Sequence, residues 1–356
     1  MFESLGLESL TPRSAALILG LALGAVFGAL AEVSAFCFRR GIVAGPDRRA
    51  ALGTWMVALA VAVAATQAAV AAGLLDLSGH RLLAAELPWL AIGAGGLAFG
   101  AGMVLARGCP ARLTVLAASG NLRAALVLLV FALVAQAAMK GALAPAVQAL
   151  AAPRLGIGAG LAALPFGPLP VAAALVAAAL ALALRSGAPR RHLAAAGGIG
   201  LVVAAGWLGT GLVLQDAFDP IPVESLAFTA PMADTLFWTA AATAVDPGFG
   251  PGLVAGTLAG AFMLARFSGR FRWQSFTGPA ETGRYLAGAG LMGVGGVLAG
   301  GCTIGAGLSG IPTLSLAALY ALAAIATGAV ATDRALSAAG RAPAGSAARP
   351  QAVPAE

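Results

Sequence analysis

The chain has 356 residues, of which 60% are hydrophobic and only 10% charged, with a net charge of +7. Soluble domains average about 25% charged residues, so the composition excludes a water-soluble fold and defines an all-α polytopic membrane protein. The excess of basic residues is no nucleic-acid footprint, because they sit in loops between apolar runs, where insertion bias places them.

Taken in chain order, nine runs are predicted to cross the bilayer: 14–37, 50–75, 88–106, 121–140, 168–185, 193–215, 250–267, 283–301 and 313–332. Shorter apolar pieces at 110–118, 143–152, 232–245 and 303–311 follow breakers such as Pro110, Pro145 and Pro231. They are predicted to be re-entrant half-helices, which survive at membrane depth only when buried or lining a cavity. The chain divides into a first membrane repeat (1–140), a linking helix with its loops (141–192), a second repeat (193–332) and a disordered tail (333–356). Residues 1–13 lack a basic stretch and the run behind them is too long for a signal peptide.

Basic residues set the predicted orientation. Seventeen of the 21, among them Arg39, Arg40, Arg48, Arg49, Arg107, Arg112, Arg190, Arg191, Arg270 and Arg284, fall on one side, leaving Arg13, Arg81, Lys140 and Arg154 on the other. The amino terminus is therefore predicted outside and the carboxyl terminus in the cytoplasm.

The two halves repeat. Glu32-Val-Ser-Ala-Phe-Cys37 resembles Glu224-Ser-Leu-Ala-Phe-Thr229 at an offset of 192 residues, and Gly108-Cys109 resembles Gly301-Cys302 at an offset of 193. Span one then matches span six, and a shift by five spans reverses orientation. Inverted repeats are predicted, with any site at their interface near mid-membrane.

The Gly-Cys steps carry the chemistry. Pro110 after Cys109 suits the first position of a helix, whose free N–H groups would seat an anion and favour a polarised thiol. Arg112 lies within the first turn. In the second half, Cys302, Thr303 and Gly305 offer a thiol, a hydroxyl and a flexible backbone. Together these suit a small anion with a soft, sulfur-like end. The competing reading is small-residue helix packing with cysteine as a small hydrophobe. Cys37 is either a further station or a buried structural residue. Glu32 and Glu224 are costly in a membrane unless paired or wet; they serve as proton relays or as braces for arginine. Arg107 is either a functional charge or an insertion anchor. Gln67, Gln136 and Asn121 read as glue between helices, and the tryptophans as interfacial belts. Two distant histidines and three cysteines without a CxxC point to no metal site, no thiol redox pair and no cofactor.

Gly-Cys-Pro-Ala-Arg-Leu with Gly120-Asn121-Leu122, and Gly-Gly-Cys-Thr-Ile-Gly-Ala-Gly-Leu-Ser-Gly from Gly300 to Gly310, resemble the YeeE/YedE family of sulfur-transport membrane proteins. The likeness covers about 14–332. It implies a non-enzymatic importer in the bacterial inner membrane for thiosulfate, a related sulfur species or a selenium compound. It also implies cysteines that bind the anion's terminal sulfur in turn, here Cys109 and Cys302 with Cys37 as a third. Family members can carry another cysteine in the second half, and this chain has none between Cys109 and Cys302. A small cytoplasmic sulfur-carrier protein is the implied partner. A membrane sensor or scaffold for sulfur species is the alternative from another class.

Overall fold

The computed structural model describes residues 11–156, 160–163, 167–216 and 218–340. The helices are α1 (Pro12–Ser34), α2 (Phe38–Ile42), α3 (Arg48–Ala71), α4 (Trp89–Leu105), α5 (Pro110–Ala118), α6 (Leu122–Lys140) and α7 (Ala144–Ala151). They continue as α8 (Pro168–Leu184), α9 (Arg190–Leu208), α10 (Thr229–Ala240), α11 (Phe249–Phe267), α12 (Pro279–Leu298) and α13 (Leu316–Ala338). A π-helical segment, Thr303–Gly310, stands between α12 and α13. Two antiparallel two-residue strands, β1 (Glu86–Leu87) and β2 (Leu155–Gly156), tie two loops together.

Among the described residues, eight helical stretches are long and apolar enough to cross a membrane. The ninth expected span is α8, whose 17 residues make a rod of about 25 Å at 1.5 Å per residue, the lower limit for spanning. The all-α polytopic expectation holds. The last helix runs to Ala338, so the expected tail begins later than Arg334; residues 341–356 lie outside the described set.

Helix contacts exchange in pairs between the halves. Where α1 packs on α11, α3 packs on α9; where α4 packs on α13, α6 packs on α12; and α5 meets α6 as Thr303–Gly310 meets α13. Contacts α4–α12 and α1–α9 join the halves across the middle.

Glycine makes these contacts close. Gly20, Gly24 and Gly28 of α1 face Gly252, Gly256 and Gly260 of α11, so that small residues every fourth position let two backbones touch. A Cβ on Gly24 would run into the Leu253 carbonyl, and one on Gly256 into that of Leu21.

Two expectations need correction. The 143–152 piece forms α7, but this helix has no buried residue, so it lies on the surface and is no buried half-helix. Trp55 and Trp207 are 0% and 2% exposed and belong to the core instead of an interfacial belt. Trp55 packs at a tilt against Phe38, ring centres 4.8 Å apart, and fills the space beside Gly307, which has no room for a Cβ. Trp89 at the start of α4 and Trp273 in the loop between α11 and α12 are exposed, as interfacial anchoring requires.

Candidate functional site

The two Gly-Cys elements become two short helices that meet inside the bundle. Cys109 has extended backbone (φ −79°, ψ 163°) and precedes α5, with Pro110 in the first turn. Proline has no N–H to lose there, and its fixed φ suits a helix start. Cys302, also extended (φ −93°, ψ −174°), precedes Thr303–Gly310, and its sulfur accepts the Gly305 N–H at 3.5 Å.

The tips of both helices line one narrow cavity of about 10 Å³, space for about one water molecule. Its walls include Cys37, Cys109, Arg112 and Thr303, with Phe27, Phe36 and Phe38 as an aromatic collar. Cys37, Cys109 and Cys302 are free, buried thiols at 5%, 3% and 0% exposure. Cys109 lies within electrostatic range of both other thiols. Three cysteines spread over 265 positions of sequence are thus neighbours in space.

The cavity is rich in unused donors. The amides of Ala111, Thr303 and Ile304 find no carbonyl partner, as expected for first turns, while that of Arg112 faces the Cys109 sulfur. The Thr303 hydroxyl faces Cys109 but completes no well-formed hydrogen bond. Arg112 Nη1 is buried without a hydrogen-bond partner; Glu32 Oε2, at 3.8 Å, is too distant to occupy it. Two helix N-termini, a cation and free hydroxyl and amide donors around thiols make a seat for a small anion with a soft end.

Supporting contacts hold the tips. Non-helical backbone at membrane depth needs partners from its surroundings. Gln67 Nε2 donates to the Pro312 carbonyl at 2.7 Å, Trp207 Nε1 to that of Ser309 at 3.2 Å, and Ser309 Oγ to that of Leu226 at 2.6 Å. The α5–α6 turn is clasped by the loop ahead of α12: Arg272 N–H donates to the Ser119 carbonyl at 3.1 Å and Gln274 N–H to that of Gly120 at 3.0 Å. Gly120 has φ +97°, a left-handed conformation that favours glycine.

Opposite this site lies a wide vestibule of about 890 Å³, walled by Gly300, Gly301, Gly305, Glu224, Thr229, His80 and Arg81 among others. The Cys302 element stands between the two, with Thr303 and Ile304 on the cavity and Gly301 and Gly305 on the vestibule. His80 Nδ1 accepts the Leu82 N–H at 3.2 Å, so the ring proton sits on Nε2 and is donated to the Val223 carbonyl at 3.1 Å. Burial, reinforced by the Arg81 cation, lowers the pKa of His80 and keeps this neutral tautomer.

Each expected residue has a place. Cys37, Cys109, Arg112 and Thr303 line the cavity; Cys302 is the turn above it; Gly301 and Gly305 face the vestibule. Gly108 lines neither, and a Cβ there would press on Leu113 at 3.1 Å. Glu32 and Glu224 match in sequence but differ in surroundings. Glu32 is buried and braced by Arg112 and by Arg270 at 3.6 Å, whereas Glu224 lines the vestibule without an ion pair among the described residues. Arg107 stands apart from the cavity, its guanidinium 6.0 Å from the Tyr285 ring centre. Two features escape sequence reasoning: the collar, although Phe36 and Phe38 flank Cys37, and the buried, unpartnered Thr229 hydroxyl at the matched position of Cys37.

Removing the shared carboxylate by Glu32→Gln leaves Arg112 and Arg270 without their counter-charge. We expect a stability loss of about 1–3 kcal/mol, measured as a lower melting temperature in detergent. An unchanged melting temperature would show that Glu32 braces neither arginine.

The class of protein follows from bundle and site together: a multi-pass membrane protein with half-helices that meet in its middle, the layout of membrane transport proteins. The chain belongs to the sulphur-transport family, whose model matches residues 33–331. No curated protein matches the chain.

Proposed function

We propose that the protein is a non-enzymatic importer that carries thiosulfate, or a closely related small sulfur anion, across the bacterial inner membrane. The halves act as inverted repeats, with the amino terminus outside, the vestibule periplasmic, and the carboxyl terminus and Arg270 cytoplasmic. Substrate enters the vestibule, passes Cys302, is held between the two helix tips by Cys109 and Thr303, and leaves past Cys37. A small cytoplasmic sulfur-carrier protein is the receiver that fits this route.

One observation carries the reading: two buried free thiols, Cys37 and Cys109, line one cavity that also holds unused N–H, O–H and guanidinium donors, and Cys302 caps the helix whose tip borders it. Oxygens of the anion take the hard donors, while its terminal sulfur takes weak S–H donors. The aromatic collar admits neither a hydrated ion nor a larger solute at rest. Family membership supports a sulfur compound as cargo.

Proteoliposomes containing the wild-type protein are expected to accumulate labelled thiosulfate. Unlabelled thiosulfate should compete at least tenfold better than sulfate, which has the same charge but no terminal sulfur. Absence of uptake for every sulfur oxyanion would overturn the transport reading; equal competition would overturn the role of the soft end.

A further inference from the structure

Beyond Cys37, on the side of the bundle away from the vestibule, three arginines gather that the narrow cavity does not use. Arg39 of α2 lies within electrostatic range of Cys37, Asp333, Arg107 and Tyr285. Arg107 and Arg284 take positions around one aromatic ring, their guanidinium carbons 6.0 and 5.8 Å from the Tyr285 centre. None of the three arginines forms an ion pair among the described residues. The Nε atoms of Arg39 and Arg284 are buried with no hydrogen-bond partner. Like charges brought together and left unpaired are unfavourable unless something of opposite sign visits them.

Two further details single out this cluster. Arg107 holds φ +60°, a conformation that non-glycine residues avoid; such local strain gathers at functional sites. Asp333 of α13 is the nearby carboxylate. It is 5% exposed, its Oδ1 has no partner, and its Oδ2 accepts only a long 3.4 Å bond from the Ala44 N–H. It faces Arg39 without forming a salt bridge, and one carboxylate leaves three guanidiniums with a surplus of two positive charges.

We infer that Arg39, Arg107 and Arg284, arranged around Tyr285, form a second anion site at which the transported oxyanion is held after Cys37, with Asp333 as the built-in competitor that releases it. The site takes a small dianionic oxyanion through forked N–H donors, the geometry in which guanidinium excels. Its assignment to the cytoplasmic side and to the transported anion rests on the import reading above. The Asp333 carboxylate weakens the site deliberately, since a station that bound too firmly would stall passage.

The test is thiosulfate exchange in vesicles of defined orientation, with the half-saturating concentration read separately on each face. Arg39→Gln and Arg284→Gln are each expected to raise the internal value at least fivefold while leaving the external value within twofold. Asp333→Asn should move the internal value the opposite way and slow exchange. A purely structural Arg–Asp cluster would instead shift both faces together, with all three variants acting in one direction, and that result overturns the site. Arg39→Lys keeps the charge and should retain most of the internal affinity; failure of this rescue in folded protein also counts against the site. If the wild type exchanges nothing, the import reading falls, and the site is judged on sulfate stabilisation of purified protein against heat. That stabilisation should persist in Cys109→Ala and vanish in the double variant Arg39→Gln, Arg284→Gln. Its absence from the wild type overturns the anion site independently.

Discussion

Cys109→Ala is expected to lower thiosulfate uptake by about tenfold to a hundredfold, with Cys302→Ala close behind and Cys37→Ala weaker. A desolvated polar group left without its partner costs about 1–3 kcal/mol, and 1.4 kcal/mol is about a factor of ten in rate. The cavity of about 10 Å³ has space for about one water molecule, too little to solvate the anion in place of a missing thiol. Cys109 lies within range of both other sulfurs, so on the proposed route its removal should interrupt two transfers. On the proposed route, Cys302 stands at the step out of the vestibule. Cys37 lies where solvent and the arginines take over. The double variant of Cys109 and Cys302 should be less than multiplicative, since both stations lie in series on one route. Serine at either position keeps a hydroxyl donor but loses the soft atom, so selectivity should shift from thiosulfate towards sulfate. Undiminished thiosulfate uptake in both alanine variants would remove the cysteines from the route.

The second large effect falls on folding. Gly256→Leu, or Gly24→Leu, should prevent accumulation of a monodisperse protein, because α1 and α11 touch through backbone at these positions. Overpacking typically costs about 1–3 kcal/mol in a core that can relax, but here the obstructing atoms are carbonyl oxygens of the facing helix. Gly256→Ala is the milder case and should lower the melting temperature by several degrees. Gly290 of α12 serves as control, having nothing within 4 Å of a Cβ; Gly290→Ala should be neutral. Size-exclusion profiles and melting curves in detergent decide the matter. A Gly256→Leu protein as stable as the wild type would mean that α1 and α11 do not meet as described.

Much of this arrangement is legible in the residues. Long apolar runs mark the spans because a bilayer demands about 20 helical residues. Pro110 marks the start of α5 because proline fits a helix only near its first turn; Pro231 misleads slightly, since α10 begins two residues earlier at Thr229 and holds the proline within its first turn. The role of α7 was not legible, because an apolar eight-residue stretch reads alike whether buried or on the surface. Tryptophan position fails for a related reason: Trp55 and Trp207 lie near span ends in sequence, yet the re-entrant Thr303–Gly310 segment folds over them and makes them core. The neighbourhood of the cysteines was half visible. Gly-Cys repetition points to Cys109 and Cys302, but only the packing of α2 beneath the bundle brings Cys37 and its phenylalanines to the same cavity. The arginine cluster is drawn from α2, the end of α4 and α12, and no spacing rule links segments so far apart.

The smallness of the narrow cavity has an electrical meaning. A neck that admits about one water molecule carries no continuous file of water, so it passes neither protons nor hydrated ions while idle. A cell that holds a voltage across this membrane therefore keeps it. On the import reading, the cargo meets that same voltage: a dianion moving towards a negative interior works against about 2.3 kcal/mol per charge for each 100 mV. Inward flow then depends on how quickly the anion is consumed on arrival, and the tight neck ensures that the waiting time costs the membrane no charge.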